Sequence, residues 1–260
     1  MIFRTLTVLL TAAGIAAATD GNNNTFGWRG HLDPGQLIEI KGVNGGIRAE
    51  PTTGTEVEVT AEKSGSRFDP ADVEIAVVDN DNGLTICAVY PQQHGTPNDC
   101  KPGSVGHMES GDNDVQVEFT VRVPAGVRFI GRTVNGAVQA LHLGADVEAY
   151  TVNGKIDVTT SGTALAETVN GSIRASLGSV RWYGARRFTT VNGSIEVNLP
   201  PGINANLAAS TVNGRICSDF PIAGRRKSSN RRAHVILGTG GRELKVSTVN
   251  GSIILVAQVS

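Results

Sequence analysis

The sequence predicts an all-β protein: a β-solenoid, resembling a single-stranded β-helix, with an antiparallel, hairpin-bearing N-terminal cap. Three observations predict it. The first is a repeat. Thr-Val-Asn-Gly stands at 133–136, 151–154, 168–171, 190–193, 211–214 and 248–251, and an imperfect copy, Gly-Val-Asn-Gly, occupies 42–45. From Asn135 to Asn213 the asparagines are 18, 17, 22 and 21 residues apart, and Asn250 follows 37 later. A period of about 20 residues marks a stacked repeat. The second is alternation. Phe129 and Gly131, Val147 and Ala149, Ala164 and Ala166, Leu207 and Ala209, Leu244 and Val246 precede the motifs at odd spacing, with mostly polar residues between them. This is the period-2 pattern of a half-buried strand. The fourth copy has Arg186 and Phe188 at these places. The third is a slip. After each glycine the inward set is Ile156 and Val158, Ile173 and Ala175, Ile195 and Val197, or Ile253 and Leu255. Relative to the strand before, it has moved by one residue. A one-residue slip in a straight strand would turn every side chain to the other face, so the chain bends at Val-Asn-Gly.

Asparagine and glycine accept positive φ cheaply. Two structures fit the bend: a two-residue hairpin turn, for which Asn-Gly is the strongest signal, and a solenoid corner. Short strands between near-identical motifs favour the corner. Identical asparagines on successive coils can hydrogen-bond in a ladder. The expected corners are Asn44, Asn135, Asn153, Asn170, Asn192, Asn213 and Asn250, with Gly136, Gly154, Gly171, Gly193, Gly214 and Gly251. Their role is read as structural. Asn-Gly-Ser at Asn170, Asn192 and Asn250 matches a glycosylation acceptor, but its placement follows the repeat.

The chain has 260 residues, 40% hydrophobic and 5% aromatic, with a net charge of −1. So little net charge supplies no general field for nucleic acid or an anionic membrane. Residues 1–18 read as a cleaved signal peptide: Arg4, an apolar run from Leu6 to Ala13, and an Ala16-Ala17-Ala18 cleavage site. No later stretch is apolar enough for a membrane span. Residues 19–35 read as a flexible leader ending in Asp33-Pro34-Gly35, and 36–260 as one repeat domain, with cap and first coils at 36–130 and repeat coils at 131–260.

Within the cap, strands are expected at 36–41, 47–50, 56–62, 72–78, 84–90 and 115–123, largely antiparallel. Asp79-Asn80-Asp81-Asn82-Gly83 joins two of them. Its carboxylates resemble the start of a calcium loop, but Gly83 comes a place early and Tyr90 stands where the closing Glu belongs, so a turn is expected. Cys87 and Cys100 flank a Pro-containing loop, and export permits a disulfide between them. Cys217 faces out and is expected free. Residues 219–237 break the period. There Arg225, Arg226, Lys227, Arg231 and Arg232 form either a solvated loop or a patch for an anionic partner.

Catalytic signals are weak. His31, His94, His107, His142 and His234 form no metal pair at ligand spacing, and no nucleophile elbow is present. Asp157, Glu167 and Glu196 fall one per coil. No metal, cofactor or enzymatic activity is expected.

Repeated Thr-Val-Asn-Gly-Ser-Ile, the 121–126 segment Val-Arg-Val-Pro-Ala-Gly, and the closing segment from Gly240 to Ile253 resemble the bacterial β-strand-repeat “putative adhesin” family, a group of largely unknown function. The likeness runs from about Gln36 to the end. It implies a β-solenoid-like, envelope-associated, non-enzymatic protein and supplies no catalytic residues. The reading is therefore an exported surface or cell-envelope binding scaffold, secreted or periplasmic, whose partner is an envelope polysaccharide or another surface protein. The alternative is a β-helical carbohydrate-active enzyme acting on polysaccharide. A cluster of carboxylates and basic residues on one exposed face would favour that alternative, and a uniform Thr/Ser/Asn face would favour the scaffold.

Overall fold

The computed structural model describes residues 24–91, 97–182, 184–220 and 231–258. Its N-terminal part holds β1 (Thr25–His31), β2 (Leu37–Lys41), β3 (Ile47–Pro51), β4 (Glu56–Ser64), β5 (Glu74–Asn80), β6 (Gly83–Val89) and β7 (Gln116–Val123). The middle holds β8 (Arg128–Arg132), β9 (Val138–Leu143), β10 (Val147–Tyr150), β11 (Ile156–Thr160), β12 (Ala164–Glu167), β13 (Ile173–Leu177), β14 (Arg186–Thr189) and β15 (Ile195–Leu199). The C-terminal part holds β16 (Ala205–Asn213), β17 (Ile216–Ser218), β18 (Arg232–Leu237), β19 (Arg242–Asn250) and β20 (Ile253–Ala257). One 3-10 turn, Pro70–Asp72, is capped by the Asp69 side chain.

These strands form two sheets of ten. The first runs β1-β4-β7-β3-β9-β11-β13-β15-β20-β17, the second β18-β16-β19-β14-β12-β10-β8-β2-β6-β5. Both are mixed and neither closes on itself. The protein is all-β, as the alternation requires. From β8 to β15 the chain changes sheet at every strand, so each motif joins a strand of one sheet to a strand of the other. Such a joined pair forms one rung of the stack.

The register explains why the rungs resemble one another. Parallel pairing sets Ile156 beside Val138 and Ile173, and Ile195 beside Ile173 and Ile253. Like side chains therefore stack in rows between the sheets, where Ile156, Ile173, Ile195, Ile253, Phe129 and Phe188 are buried. Each row is a line of contacts copied at the strand spacing of about 4.8 Å.

Four features depart from the expected layout. Rungs do not stack in sequence order: the C-terminal rung β19–β20 lies between β14–β15 and β16–β17, pairing in parallel with both neighbours. Near-identical rungs offer near-identical edges, so chain order does not dictate neighbours. Part of the expected leader is a strand: β1 pairs antiparallel with β4 along Thr25 to His31. The N-terminal half is mixed, with β4 antiparallel to β7 and β5 to β6, but β3 parallel to β7 and β2 to β6. Finally, the stretch that breaks the period contains β18, which returns antiparallel along β16. The expected signal peptide at 1–18 lies outside the described residues.

Candidate functional site

Three of the four motif residues, the threonine, the asparagine and the glycine, each make one recurring contact. The threonine is buried. Its hydroxyl donates to the carbonyl of the glycine one rung away: Thr133 to Gly45, Thr151 to Gly136, Thr168 to Gly154, Thr190 to Gly171, Thr248 to Gly193 and Thr211 to Gly251, at 2.8–3.1 Å. This satisfies a carbonyl that the bend removes from the strand ladders. The valine is half-buried in the first full copy, at Val134, and exposed in every later one.

The asparagines form one directional ladder. Asn213 donates through Nδ2 to Oδ1 of Asn250, and the chain continues through Asn192, Asn170, Asn153 and Asn135 to Asn44, at 2.7–2.9 Å. Asn44 ends it by donating to the carbonyl of Asn113, 3.2 Å away in the cap. All seven expected asparagines are thus in one line.

The glycine is required for a reason other than the one expected. Positive φ is not the motif's general conformation. No asparagine of the ladder has it, since His142 (φ 59°) is the non-Gly residue with positive φ among those described. At Gly45 φ is 115° and at Gly251 158°, but Gly136, Gly154, Gly171, Gly193 and Gly214 are not among the glycines with positive φ. Close approach decides instead. A Cβ built at Gly136, Gly154, Gly171, Gly193, Gly214 or Gly251 would lie under 3.0 Å from the carbonyl oxygen of the adjacent rung's glycine. The backbones touch where a side chain would stand.

Rows also cross the outer faces. On the first sheet Gln139, Asp157, Arg174 and Glu196 follow one another, rung by rung. Arg174 lies 3.7 Å from Asp157 and 3.8 Å from Glu196, and Lys155 lies 3.3 Å from Asp157. Lys155, Asp157, Arg174 and Glu196, with Ser172, Ser194 and the exposed Ile254, line an open groove of about 280 Å³. Glu167, the third carboxylate singled out, lies on the second sheet, 3.2 Å from Arg187.

On the second sheet a charged group is buried that the alternation alone marks as solvent-facing. Glu39 is 1% exposed. It accepts from Arg132 Nε at 2.8 Å, Thr85 Oγ1 at 3.1 Å and Gly103 N at 2.8 Å. Lys41 donates to the carbonyls of Lys101 and Val105. Burial holds its ammonium below the ordinary lysine pKa, with Glu39 pulling the other way. The Arg132 guanidinium stacks 3.9 Å over the Tyr150 ring. The segment that covers this cluster is tethered by a disulfide between Cys87 and Cys100, whose Cα atoms are 5.7 Å apart. Reading the sequence could identify Glu39 and Lys41 as outward. It carried no signal that residues beyond Cys100 would fold back over them.

Elsewhere the cap is held by single contacts. The single Tyr90 hydroxyl proton lies between two carbonyls, of Val115 at 2.8 Å and of Asn44 at 3.2 Å, and burial pushes its pKa up to about 12. Burial works against ionisation of Asp114, but the amides of Phe68, Arg67 and Ser66 outweigh it and hold the carboxyl below 3.8. Asn80 Oδ1 accepts from Asn82 N in the turn at 79–83, which joins β5 to β6. Cys217 is exposed and free. Of the basic stretch, Arg225, Arg226 and Lys227 lie outside the described residues, and Arg231 and Arg232 are exposed at the start of β18. Among the described residues no helix is long and apolar enough to cross a membrane.

The architecture is that of an all-β protein built from two mixed sheets with a repeated corner. No family model matches the chain, nor does any curated protein. Solved structures do. A “putative cell adhesion protein” from Clostridium sporogenes is 12% identical, with 90% of this chain and 100% of that chain covered at a TM-score of 0.47. A “putative adhesin” from Bacteroides fragilis is 13% identical, over 90% of this chain and 98% of that one, at 0.38. One from Parabacteroides distasonis is 12% identical, over 91% and 98%, at 0.26.

Proposed function

We propose that this is an exported, non-enzymatic surface or cell-envelope protein, and that its stacked rungs form a β-solenoid serving as an adhesin-like binding scaffold. The observation that carries the reading is the open, repeated polar face of the first sheet. Gln139, Asp157, Arg174 and Glu196 stand one per rung at the strand spacing, with Ser172 and Ser194 beside them, which suits an extended polar polymer such as an envelope polysaccharide. The Cys87–Cys100 disulfide supports export, since disulfides persist in oxidising compartments.

The carbohydrate-active-enzyme reading needs two carboxylates facing one scissile bond, about 5 to 9.5 Å apart. Here Arg174 occupies the rung between Asp157 and Glu196 and contacts both. A mixed cluster of carboxylates and basic residues is what the enzyme reading asks for, but one guanidinium paired with both carboxylates keeps them engaged, and a nearby opposite charge favours the charged form of a carboxylate over proton exchange. That supports recognition over acid–base chemistry.

The test is titration of purified envelope polysaccharides onto the protein, with release of reducing ends followed in parallel. Binding without hydrolysis is expected. Arg174→Ser should weaken it about tenfold or more, as loss of a charge-assisted contact does, with little change in melting temperature. Sugar release would overturn the non-enzymatic reading. Absence of binding to every polysaccharide tried, or unchanged binding by the variant, would remove this face as the site.

A further inference from the structure

The seven asparagines of the ladder share one dipeptide, Asn-Gly, yet one of them stands in a different chemical position. In six copies the glycine N–H is committed: Gly45 donates to Asn135, Gly136 to Asn153, Gly154 to Asn170, Gly171 to Asn192, Gly193 to Asn250 and Gly251 to Asn213, all to backbone carbonyls at 2.8–3.1 Å. The same six asparagines each accept a ladder bond on Oδ1. Beyond the rung of Asn213 only β18 follows, and it pairs with β16 from Ala205 to Ser210, so among the described residues the corner at Asn213 has no further neighbour. Among the described residues no carbonyl faces Gly214 N–H, and no ladder amide donates to Asn213 Oδ1. Asn213 is exposed, as is Val212 before it. The ladder bond it makes is through Nδ2 to Asn250.

From this we infer that Asn213 is a site of spontaneous covalent modification by deamidation, and that the rest of the ladder is protected from the same reaction by its hydrogen bonds. The reaction is intramolecular. The Gly214 nitrogen, once it loses its proton to water or hydroxide, attacks Cγ of Asn213. A nitrogen–carbon bond forms, the Cγ–Nδ2 bond breaks, and the amide leaves as ammonia after taking up a proton. The product is a five-membered succinimide. Water then opens the ring. Cleavage at Cγ gives Asp in a normal backbone, and cleavage at the α-carbonyl gives isoaspartate, whose backbone runs through the side chain. No oxidant or reductant is involved.

Two requirements separate the copies. The nucleophile must be free to lose its proton, and Cγ must be free to turn toward it. A glycine N–H donated to the next rung meets neither until that rung opens, and opening the interior of a sheet costs far more than fraying its end. Among the described residues, Gly214 meets the first already. For the second, Asn213 needs to break only one side-chain hydrogen bond, where the others must break two.

The product alters the end of the stack. A carboxylate at position 213 cannot donate to Asn250 Oδ1, so two oxygens face each other and the ladder loses its terminal bond. Isoaspartate also lengthens the backbone between β16 and β17, where Asn213 pairs with Asn250 and Ile216 with Ile253. The modification adds negative charge and loosens the last rung without touching the interior.

Peptide mapping by mass spectrometry tests this on the full folded chain incubated at mildly alkaline pH. The readout is the mass gain from exchange of NH₂ for OH at each Asn-Gly peptide, with isoaspartyl methylation as a second readout. Asn213 should convert about tenfold or more ahead of the other six ladder asparagines, because each of those needs rung opening first. In denaturant all seven should convert at similar rates, because the dipeptide is the same. Uniform conversion in the folded chain, or earlier conversion at an interior rung, would overturn the inference. So would a lead of Asn213 that persists in denaturant, since the selectivity would then lie in local sequence and not in the ladder.

Discussion

The two halves of this molecule are held by different kinds of contact. In the repeat half, from β8 onward, the same few interactions recur: a threonine hydroxyl to a glycine carbonyl, an asparagine to an asparagine, a glycine backbone against a glycine backbone. In the N-terminal half the important contacts occur once each. Tyr90 places its hydroxyl between two carbonyls, Asp114 collects three amides, and Glu39 joins Arg132, Thr85 and Gly103. A copied contact constrains residue type at every copy, because the neighbour's identical backbone sets the space. A single contact constrains one place and leaves no trace in a repeat pattern.

That contrast can be broken most sharply at a motif glycine. Gly171→Ala puts a Cβ into the Gly154 carbonyl, and both partners are backbone. A cost of about 3 kcal/mol is expected, at the upper end for overpacking. In β1, a Cβ on Gly27 meets nothing within 4 Å, so Gly27→Ala should stay within about 0.5 kcal/mol. Chemical denaturation of the two variants decides, and equal midpoints would refute close approach as the reason for glycine.

A smaller effect is expected at the threonine. Thr168→Val keeps the shape but leaves the Gly154 carbonyl without its hydroxyl donor. The expected loss is about 1–2 kcal/mol, the cost of an unsatisfied buried acceptor. Thr60→Val in the exposed part of β4 serves as the comparison and should cost almost nothing. Similar thermal shifts for both would mean that the corner hydroxyl is dispensable.

The smallest effect concerns acid. The folded Asp114 carboxyl sits below its ordinary 3.8, so it contributes stability above that value and loses it as pH falls through 3.8 toward the folded pKa. Asp114→Asn removes this term. Its unfolding midpoint should fall less steeply with acid between about pH 5 and about pH 2 than that of the wild type. Parallel curves would show that the three amides do not favour the ionised form.

By itself the sequence determined what is local. Alternation at period 2 located most of the strands, and the inward sets around each motif, such as Ala149 before and Ile156 after, follow from the one-residue slip alone. The all-β class follows from those patterns. β1 escaped, because Thr25 to His31 lies in a stretch rich in glycine and polar residues with little apolar alternation. Only the tertiary structure decided what depends on a neighbour distant in the chain. It set the C-terminal rung between β14–β15 and β16–β17, folded the segment beyond Cys100 over Glu39 and Lys41, and made Gly171 necessary through Gly154. The physical reason is common to all three. A strand's own residues state which face is apolar, but near-identical rungs present interchangeable edges. Which edge meets which, and so which amide is left at the end, is settled only when the whole stack closes its hydrogen bonds.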